Sequence, residues 1–216
     1  MRTAQHLLSG RALVTENGLR VVYIEYWGQG GAAQNCSSFD MGTGKRRGEN
    51  IYSGKGIEDM RIRRAQAGDM EGISRLLFQV LAVHHEGRPD LFKGNVKKYT
   101  DEELAKLMAD DSRPIFVGVD ELSERVLGYA FCVFQRQKDS NILTDIKTLY
   151  IDDLCVEEEL RGQHVGRRIY EYVLDFARRE GCYNVTLNVW ACNRAALRFY
   201  ESCGLTPQKI GMEKIL

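Results

Sequence analysis

A strand, a glycine-containing turn and a long helix follow one another between residues 148 and 181, and this succession constrains the fold most. TLYIDDLCV is typical of a strand, RGQHVG supplies the turn, and HVGRRIYEYVLDFARREG is amphipathic with a helical period. The first N–H groups of a helix lack intrahelical partners, and glycine lets an anion approach them closely. The turn from Arg161 to Arg167 is therefore either an anion site or an ordinary helix start.

Composition excludes several classes of protein. Lys and Arg together number 30 and Asp and Glu number 30, so no basic excess favours nucleic acid as a partner. Apolar runs are too short for a membrane span or a signal peptide. The cysteines form no C-x-x-C pair and lie in apolar segments, which predicts buried free thiols, no metal site and a cytoplasmic protein. They are Cys36, Cys132, Cys155, Cys182, Cys192 and Cys203.

A change in glycine content and in hydrophobic periodicity near residue 59 predicts a domain boundary. Ten of the 21 glycines precede Met60, and only residues 18–27 alternate like a strand in that part. We expect residues 1–59 to be a flexible extension and residues 60–216 to form one domain. One hypothesis is that Met60 is the natural start of the protein.

Periodicity and capping signals divide residues 60–216 into ten elements. Their order, βααβββαβαβ with short links, predicts one mixed α/β sheet with helices on both faces. Thr100 and Glu103 have the spacing of a capping box. The strands are predicted at 60–65, 114–120, 125–137, 148–156, 183–191 and 205–216, and the helices at 68–85, 100–111, 164–181 and 193–204.

Two motifs on either side of the strand at 183–191 carry a family resemblance. RGQHVG is similar to the R/Q-x-x-G-x-G/A loop of the GCN5-related N-acetyltransferases, and NRAALRFYESCGL is similar to their N-x-x-A-x-x-F-Y-x-x-x-G-F/L motif. His164 stands where the family usually has glycine. The resemblance covers residues 60–216 and implies a mostly antiparallel sheet flanked by helices. It also implies acetyl-CoA as co-substrate, direct attack by a primary amine in a ternary complex, and no acetyl-enzyme.

The same resemblance implies which residues hold acetyl-CoA. Main-chain groups of Leu154, Cys155 and Val156 are expected to bind the pantetheine and polarise the thioester carbonyl, on a strand splayed by a bulge. Cys155 itself is expected to be a core residue. The phosphates are expected on the loop, and Asn193 is expected both to cap its helix and to contact the cofactor arm. The loop residues are Arg161, Gly162, Gln163, His164, Val165, Gly166 and Arg167.

Strict alternation would place Leu149, Ile151, Asp153 and Cys155 on one face of their strand. That arrangement would put a carboxylate among apolar groups. A bulge near Asp153 would re-aim it toward a functional site, whereas a salt bridge at the sheet edge is the alternative.

Candidate catalytic residues also follow from the resemblance. Tyr200, in the second motif, is expected to be the general acid. Asp152 and Asp153 are similar to paired acidic residues of diamine and polyamine acetyltransferases, so we expect Asp152 to be the base and Asp153 to contact the substrate. Glu86 either lines an acidic cleft for the amine or is a solvated loop residue. The run from Glu157 to Glu159 is expected to be solvated surface.

Three functions remain open from the sequence. The leading hypothesis is acetylation of a small amine such as a polyamine, diamine, amino acid or aminoglycoside. A second is acetylation of a protein N-terminus or lysine, and a third is a catalytically silent domain that senses coenzyme A. A homodimer is compatible with each of them.

Overall fold

The computed structural model describes residues 59–138 and 140–216. The extension predicted at 1–59, the strand predicted at 18–27 and Cys36 lie outside the described residues, apart from Asp59. Five strands and four helices of the described part correspond to predicted elements. They are β1 Met60–Arg64, α1 Met70–Gly87, α2 Asp101–Met108, β2 Ile115–Asp120, β3 Val126–Gln135, β4 Thr148–Val156, α3 Val165–Arg179, β5 Asn184–Leu187 and α4 Arg194–Ser202.

The strands form a single mixed sheet in the order β1-β2-β3-β4-β5. Strands β1 to β4 pair antiparallel in turn, and β5 pairs parallel to β4. Ile73 and Leu76 of α1 belong to one buried cluster, and Ile169 and Val173 of α3 belong to another. The two clusters fill opposite faces of the sheet, which confirms the mixed, mostly antiparallel fold with helices on both faces.

Local signals fix the helix ends as predicted. The Thr100 hydroxyl accepts a hydrogen bond from the N–H of Glu103 at 3.2 Å, and the Glu103 carboxylate accepts one from the N–H of Thr100 at 2.8 Å. Asn193 caps α4 through the N–H of Ala196. Gly181 and Gly204 follow α3 and α4 with φ of +66° and +87°, a conformation that favours glycine at a helix end.

The strand predicted at residues 205–216 was wrong, because the described chain has no strand there. Ile210 and Met212, two apolar residues of that segment, are exposed. Alternation specifies which face of a strand is apolar, but a strand also needs a neighbour that satisfies its N–H and C=O groups. The outer edge of β5 has no such neighbour among the described residues.

Two burial predictions need correction. Cys132 and Cys155 are buried as expected, but Cys182 and Cys203 are only partly buried, and Cys192 is exposed in the turn before α4 beside Gly87, the last residue of α1. Glu157 is buried rather than solvated, because it forms ion pairs with Arg75 of α1 and with Arg125 at the start of β3. The rest of the acidic run, residues 158 and 159, is exposed.

Candidate active site

Strand β4 contains a bulge at Asp152, close to the predicted position. Phe131 of β3 lies opposite Asp153, while the next residue, Cys132, lies opposite Ile151, so Asp152 is an extra residue. The strict alternation considered from the sequence is therefore wrong. Leu149 and Ile151 point into the cluster with α3, and Cys155 points into the cluster with α1. The bulge reverses the face on which the later side chains of β4 lie.

Strands β4 and β5 separate just after the bulge. They pair only over Thr148–Ile151 and Asn184–Leu187, although β4 continues to Val156. Within the described chain, the stretch from Asp152 to Val156 has no strand neighbour on the β5 side. Main-chain groups of Leu154, Cys155 and Val156 that point away from β3 therefore line an opening in the sheet.

The loop between β4 and α3 presents a group of unpaired donors. Among the described residues, no backbone carbonyl accepts the N–H groups of Gly162, His164, Val165, Gly166 and Arg167. Four unpaired N–H groups at a helix start are ordinary, but the turn adds a further one at Gly162. Convergent N–H groups at a positive helix end suit an anion such as a phosphate.

Backbone conformation explains the residue types of this loop. Gly162 has φ of +80° and His164, the N-cap of α3, has φ of +63°. Gly166 needs its missing side chain, because a Cβ there would lie 3.3 Å from Cγ2 of Val156 and 3.5 Å from Cζ of Phe199. The loop is thus folded tightly against the end of β4 and against α4.

Side chains of the loop bond mainly to the protein itself. Arg161 donates from Nε to the carbonyl of Val156 at 3.4 Å and is exposed. Gln163 donates to the carbonyl of Glu159, and Arg167 donates to the carbonyl of Ser202. These contacts hold the loop side chains to the protein and do not use the main-chain N–H groups of the loop.

The two adjacent aspartates have different partners. Oδ2 of Asp152 accepts hydrogen bonds from Nζ of Lys98 at 2.7 Å and from the hydroxyl of Tyr99 at 3.1 Å. Burial alone would lower the pKa of Lys98, but the hydrogen bond to Asp152 and the charge of Asp153 outweigh it and raise that pKa. Lys98 is therefore a fixed positive charge beside Asp152.

Asp153 lies in a more apolar place. Its Oδ2 accepts a hydrogen bond from the hydroxyl of Tyr129 at 3.0 Å. Burial raises the pKa of Asp153 to about 6, although the charge of Lys98 and the Tyr129 hydrogen bond act in the opposite direction. A carboxylate with a pKa near neutrality can accept a proton and release it again, as a general base must.

Tyr200 lies on α4 in an aromatic group with Tyr170 and Phe199, with ring centroids 6.3 Å and 5.0 Å from its own. Burial raises the pKa of Tyr200 well above its usual range, and the nearby charge of Asp153 raises it further. No other described residue forms a hydrogen bond with its hydroxyl. The charge of Asp153 is thus close enough to act on Tyr200.

Cys155 is a core residue. Its Sγ is buried 3.6 Å from the carbonyl of Leu76, and burial raises the pKa of its thiol to about 12. A thiol with that pKa is almost entirely protonated at neutral pH and is a poor nucleophile. This geometry agrees with a reaction that forms no acetyl-enzyme.

Glu86 is not brought to the aspartates. It is exposed on the last turn of α1, and no described contact joins it to Asp152 or Asp153. Of the neighbouring histidines, His84 packs on the ring of Phe92 and His85 bonds through Nδ1 to the carbonyl of that residue. No cluster of three His, Cys, Asp or Glu residues in the described part of the chain has the arrangement of a metal site.

Sequence reasoning missed Lys98 and Tyr129. Lys98 precedes the cap of α2 in the run KKYT, where a lysine is usually a solvated surface residue. Tyr129 is one of several apolar residues of β3. Only the pairing of β3 with the bulged β4 brings Tyr129 to Asp153.

Comparison with known proteins gives consistent matches. A model of the acetyltransferase (GNAT) family matches residues 80–205. Glucosamine 6-phosphate N-acetyltransferase of Arabidopsis thaliana is 28% identical over 120 residues, which are 53% of this chain and 76% of that protein. Thialysine N-epsilon-acetyltransferase of Bos taurus is 33% identical over 58 residues, 27% of this chain and 34% of that protein.

Solved structures agree with the fold. A mutant of the BH1408 protein from Bacillus halodurans matches with a TM-score of 0.69 and 31% identity, over 72% of this chain and 99% of that one. The Arabidopsis thaliana glucosamine-6-phosphate N-acetyltransferase matches with a TM-score of 0.53 and 25% identity, over 72% and 97% of the two chains. The chain belongs to the acetyltransferase (GNAT) family, whose members transfer an acetyl group from acetyl-CoA to an amine.

Proposed function

We propose that this protein acetylates the primary amine of a small molecule, with the opening between β4 and β5 as its active site. The observation that carries the proposal is the bulge at Asp152. It separates the two strands, exposes main-chain groups of β4, and turns Asp153 toward the side of the sheet that carries Lys98 and Tyr129. We place the donor groups, the base and the acid of the reaction at this opening.

The residues present suit acetyl-CoA. The donors from Gly162 to Arg167 offer five N–H groups to a pyrophosphate. Leu154 to Val156 would hold the pantetheine arm and polarise the carbonyl through their N–H groups, and Asn193 would contact the arm beside its cap. When bound, acetyl-CoA supplies the activated acetyl group as a thioester.

We assign the base to Asp153 rather than to Asp152, which the sequence favoured. A primary amine has a pKa near ~10 and reaches the site mostly protonated, so a proton must be removed. Asp152 is held by Lys98 at 2.7 Å, whereas Oδ1 of Asp153 carries no cation bond among the described residues. Asp153, with its pKa raised by burial to about 6, accepts the proton, and Asp152 orients Lys98.

Tyr200 serves as the acid in this proposal. Its hydroxyl keeps its proton at neutral pH, because burial raises its pKa, and it can donate that proton from Oη to a thiolate. Glu86, exposed and apart from the aspartates, would serve only at the outer edge of the acceptor site.

A small acceptor is supported by the two relatives described above. Their names give small amines as acceptors: glucosamine 6-phosphate in Arabidopsis thaliana and thialysine in Bos taurus. The test is release of coenzyme A thiol over a panel that contains amino sugars, amino acids, diamines, an aminoglycoside and peptides with a free N-terminus or lysine. Turnover of small amines but not of peptides supports the proposal. Turnover of peptides only, or tight acetyl-CoA binding with no turnover, would refute it.

We also propose a cytoplasmic homodimer. Five described cysteines are free, which is ordinary in a reducing compartment. The outer edge of β5 lacks a partner in the described chain, and Ile210 and Met212 beyond α4 are 78% and 90% exposed, so a second copy could cover both. Light scattering should give twice the chain mass, and removal of residues 206–216 should give the mass of one chain.

None of the described helices combines the length and the apolar character needed to cross a bilayer.

Residues 60–216 are proposed as the complete catalytic domain. Each helix, strand and site residue described above lies within them. A chain that lacks residues 1–59 should keep its solubility and its kcat/KM. Loss of either would assign a folding or binding role to the extension.

A further inference from the structure

We propose that Lys98 determines which acceptor amine the protein prefers. The preferred acceptor is an amine that also carries an anionic group such as a carboxylate or phosphate. This inference rests on the proposed function and narrows it to one substrate class. It assigns a specificity role to a residue at the acceptor side that the reaction itself does not require.

The position of Lys98 carries the inference. Its ammonium lies 2.7 Å from Oδ2 of Asp152 and 5.4 Å from the centre of the Tyr99 ring, and 31% of its side chain stays exposed. Lys98 stands two residues before Thr100, the N-cap of α2. A cation is thus held at the site and is still reachable by a ligand.

The surroundings of Asp152 add a second cation. A narrow recess beside Asp152 is lined by Tyr99, Phe131, Val133 and Arg113. Arg113 lies 3.8 Å from Asp110 and half of its side chain is exposed. Asp152 and Arg113 both line this recess, and Lys98 bonds to Asp152 from outside its lining.

This charge balance disfavours the diamines and polyamines that the aspartate pair alone would suggest. Lys98 neutralises Asp152, so Asp153 is the one acidic side chain of the pair without a cation partner among the described residues. A second ammonium group on the substrate would meet the Lys98–Asp152 ion pair rather than a free carboxylate, so it would gain little net attraction there. A substrate with one ammonium and one anion matches the site instead: the ammonium toward Asp153 and the anion toward Lys98.

Two matched pairs of substrates test the inference. Glucosamine and glucosamine 6-phosphate differ by a phosphate, and cadaverine and lysine differ by a carboxylate. The wild-type protein should show a kcat/KM at least about tenfold higher for the anionic member of at least one pair, since one charge-assisted contact is worth about 1.5 kcal/mol or more. Equal kcat/KM values, or a preference for the anion-free members, would overturn the inference.

Three variants show whether Lys98 is the cause. Lys98→Met should reduce the preference about tenfold and raise kcat/KM for cadaverine, because Asp152 becomes free to attract a second ammonium. Lys98→Arg should keep the preference, which separates charge from folding. Lys97→Met is the control, since Lys97 pairs with Asp101 instead, and it should match the wild type.

The outcomes separate this inference from the function on which it rests. If Lys98→Met lowers kcat/KM equally for both members of a pair, Lys98 is structural and the inference fails while the enzyme activity stands. If the wild-type protein turns over no amine, the proposed function fails and the inference fails with it.

Discussion

The hydroxyl of Tyr129 donates a 3.0 Å hydrogen bond to Asp153, and this contact joins β3 to β4 immediately beyond the bulge. Tyr129 is fully buried, so Asp153 is fixed by a residue that cannot move without disturbing the core. The bond favours the charged carboxylate, whereas burial favours the neutral acid. Burial has the larger effect and raises the pKa of Asp153 to about 6.

A pH dependence of turnover follows from that pKa. The base must be unprotonated to accept a proton, so kcat/KM should fall tenfold per pH unit below about pH 6. Asp153→Asn should lower kcat about 100-fold or more and remove this acid limb, since no carboxylate remains to titrate. Rates of thiol release between pH 5 and pH 9 measure both effects.

Asp152→Asn is the matched control for the base. The Asp152 carboxylate is held by Lys98, so the variant should change the KM for the acceptor and keep an acid limb, moved below pH 6 because the charge of Asp152 no longer raises the pKa of Asp153. A lost limb in Asp152→Asn, with a normal limb in Asp153→Asn, would return the role of base to Asp152.

Asp153 should also reduce the stability of the fold above about pH 6. Its folded pKa of about 6 lies above the ordinary 3.8, so the folded state binds the proton more tightly than the unfolded chain. Stability is therefore lost as pH rises from about 4 to 6, and the whole penalty is present above that range. Asp153→Asn should raise Tm at pH 8 by at least about 2 °C, the effect of roughly 1 kcal/mol in a domain of this size, and by less at pH 4. Calorimetry at the two pH values tests this, and an equal change at both would exclude a charge effect.

Most of the fold was predictable because its signals are local. The Thr100 capping box, the Asn193 cap and the glycines after α3 and α4 each act through backbone groups a few residues away. The missing strand at 205–216 depends instead on whether β5 accepts a neighbour, and no local pattern contains that information. Burial of Glu157 likewise depends on Arg75, which lies 82 residues earlier.

The main-chain geometry of the candidate site was predictable from the motifs. The loop from Arg161 to Arg167 and the bulge near Asp153 lie where the motifs indicated. Roles of side chains were harder to predict, because Lys98 and Tyr129 reach the aspartates from other elements. A sequence shows that two acidic residues are adjacent but does not show which of them a distant lysine neutralises.

Tyr200→Phe should lower kcat about 100-fold with little change in the KM for acetyl-CoA, because only the proton donor is removed. The ring that packs against Phe199 is kept. Tyr170→Phe, a change in the same aromatic group on α3, is the control and should keep wild-type kcat. Steady-state rates at saturating acceptor make the comparison, and equal rates for the two variants would remove Tyr200 as the acid.

Gly166→Asp should weaken acetyl-CoA binding at least about tenfold. A Cβ at this position is crowded by Val156 and Phe199, and the added carboxylate would place a negative charge at the start of α3, where it disfavours an anion. Gly68→Asp places the same charge before α1, where a Cβ meets no atom within 4 Å, and should leave affinity unchanged. Calorimetric titration with coenzyme A compares them. Wild-type affinity in a folded Gly166→Asp protein would refute the loop as the phosphate site.

His164→Gly should stabilise the protein. His164 has φ of +63°, a left-handed conformation that costs most non-glycine residues roughly 1–2 kcal/mol. Glycine removes that strain but adds about 0.4–1 kcal/mol of freedom to the unfolded chain, so the expected net gain is about 0.5–1 kcal/mol. The adjacent Gln163→Gly relieves no such strain and loses the bond to the carbonyl of Glu159, so it should destabilise the fold.

Urea unfolding of both variants measures this difference, and the affinity for coenzyme A gives a second reading. Because the proposed phosphate site consists of main-chain N–H groups, His164→Gly should keep wild-type affinity while its midpoint rises. A loss of affinity in that variant would show that the imidazole itself contacts the cofactor, and the unusual residue of this loop would then be a ligand rather than a tolerated strain.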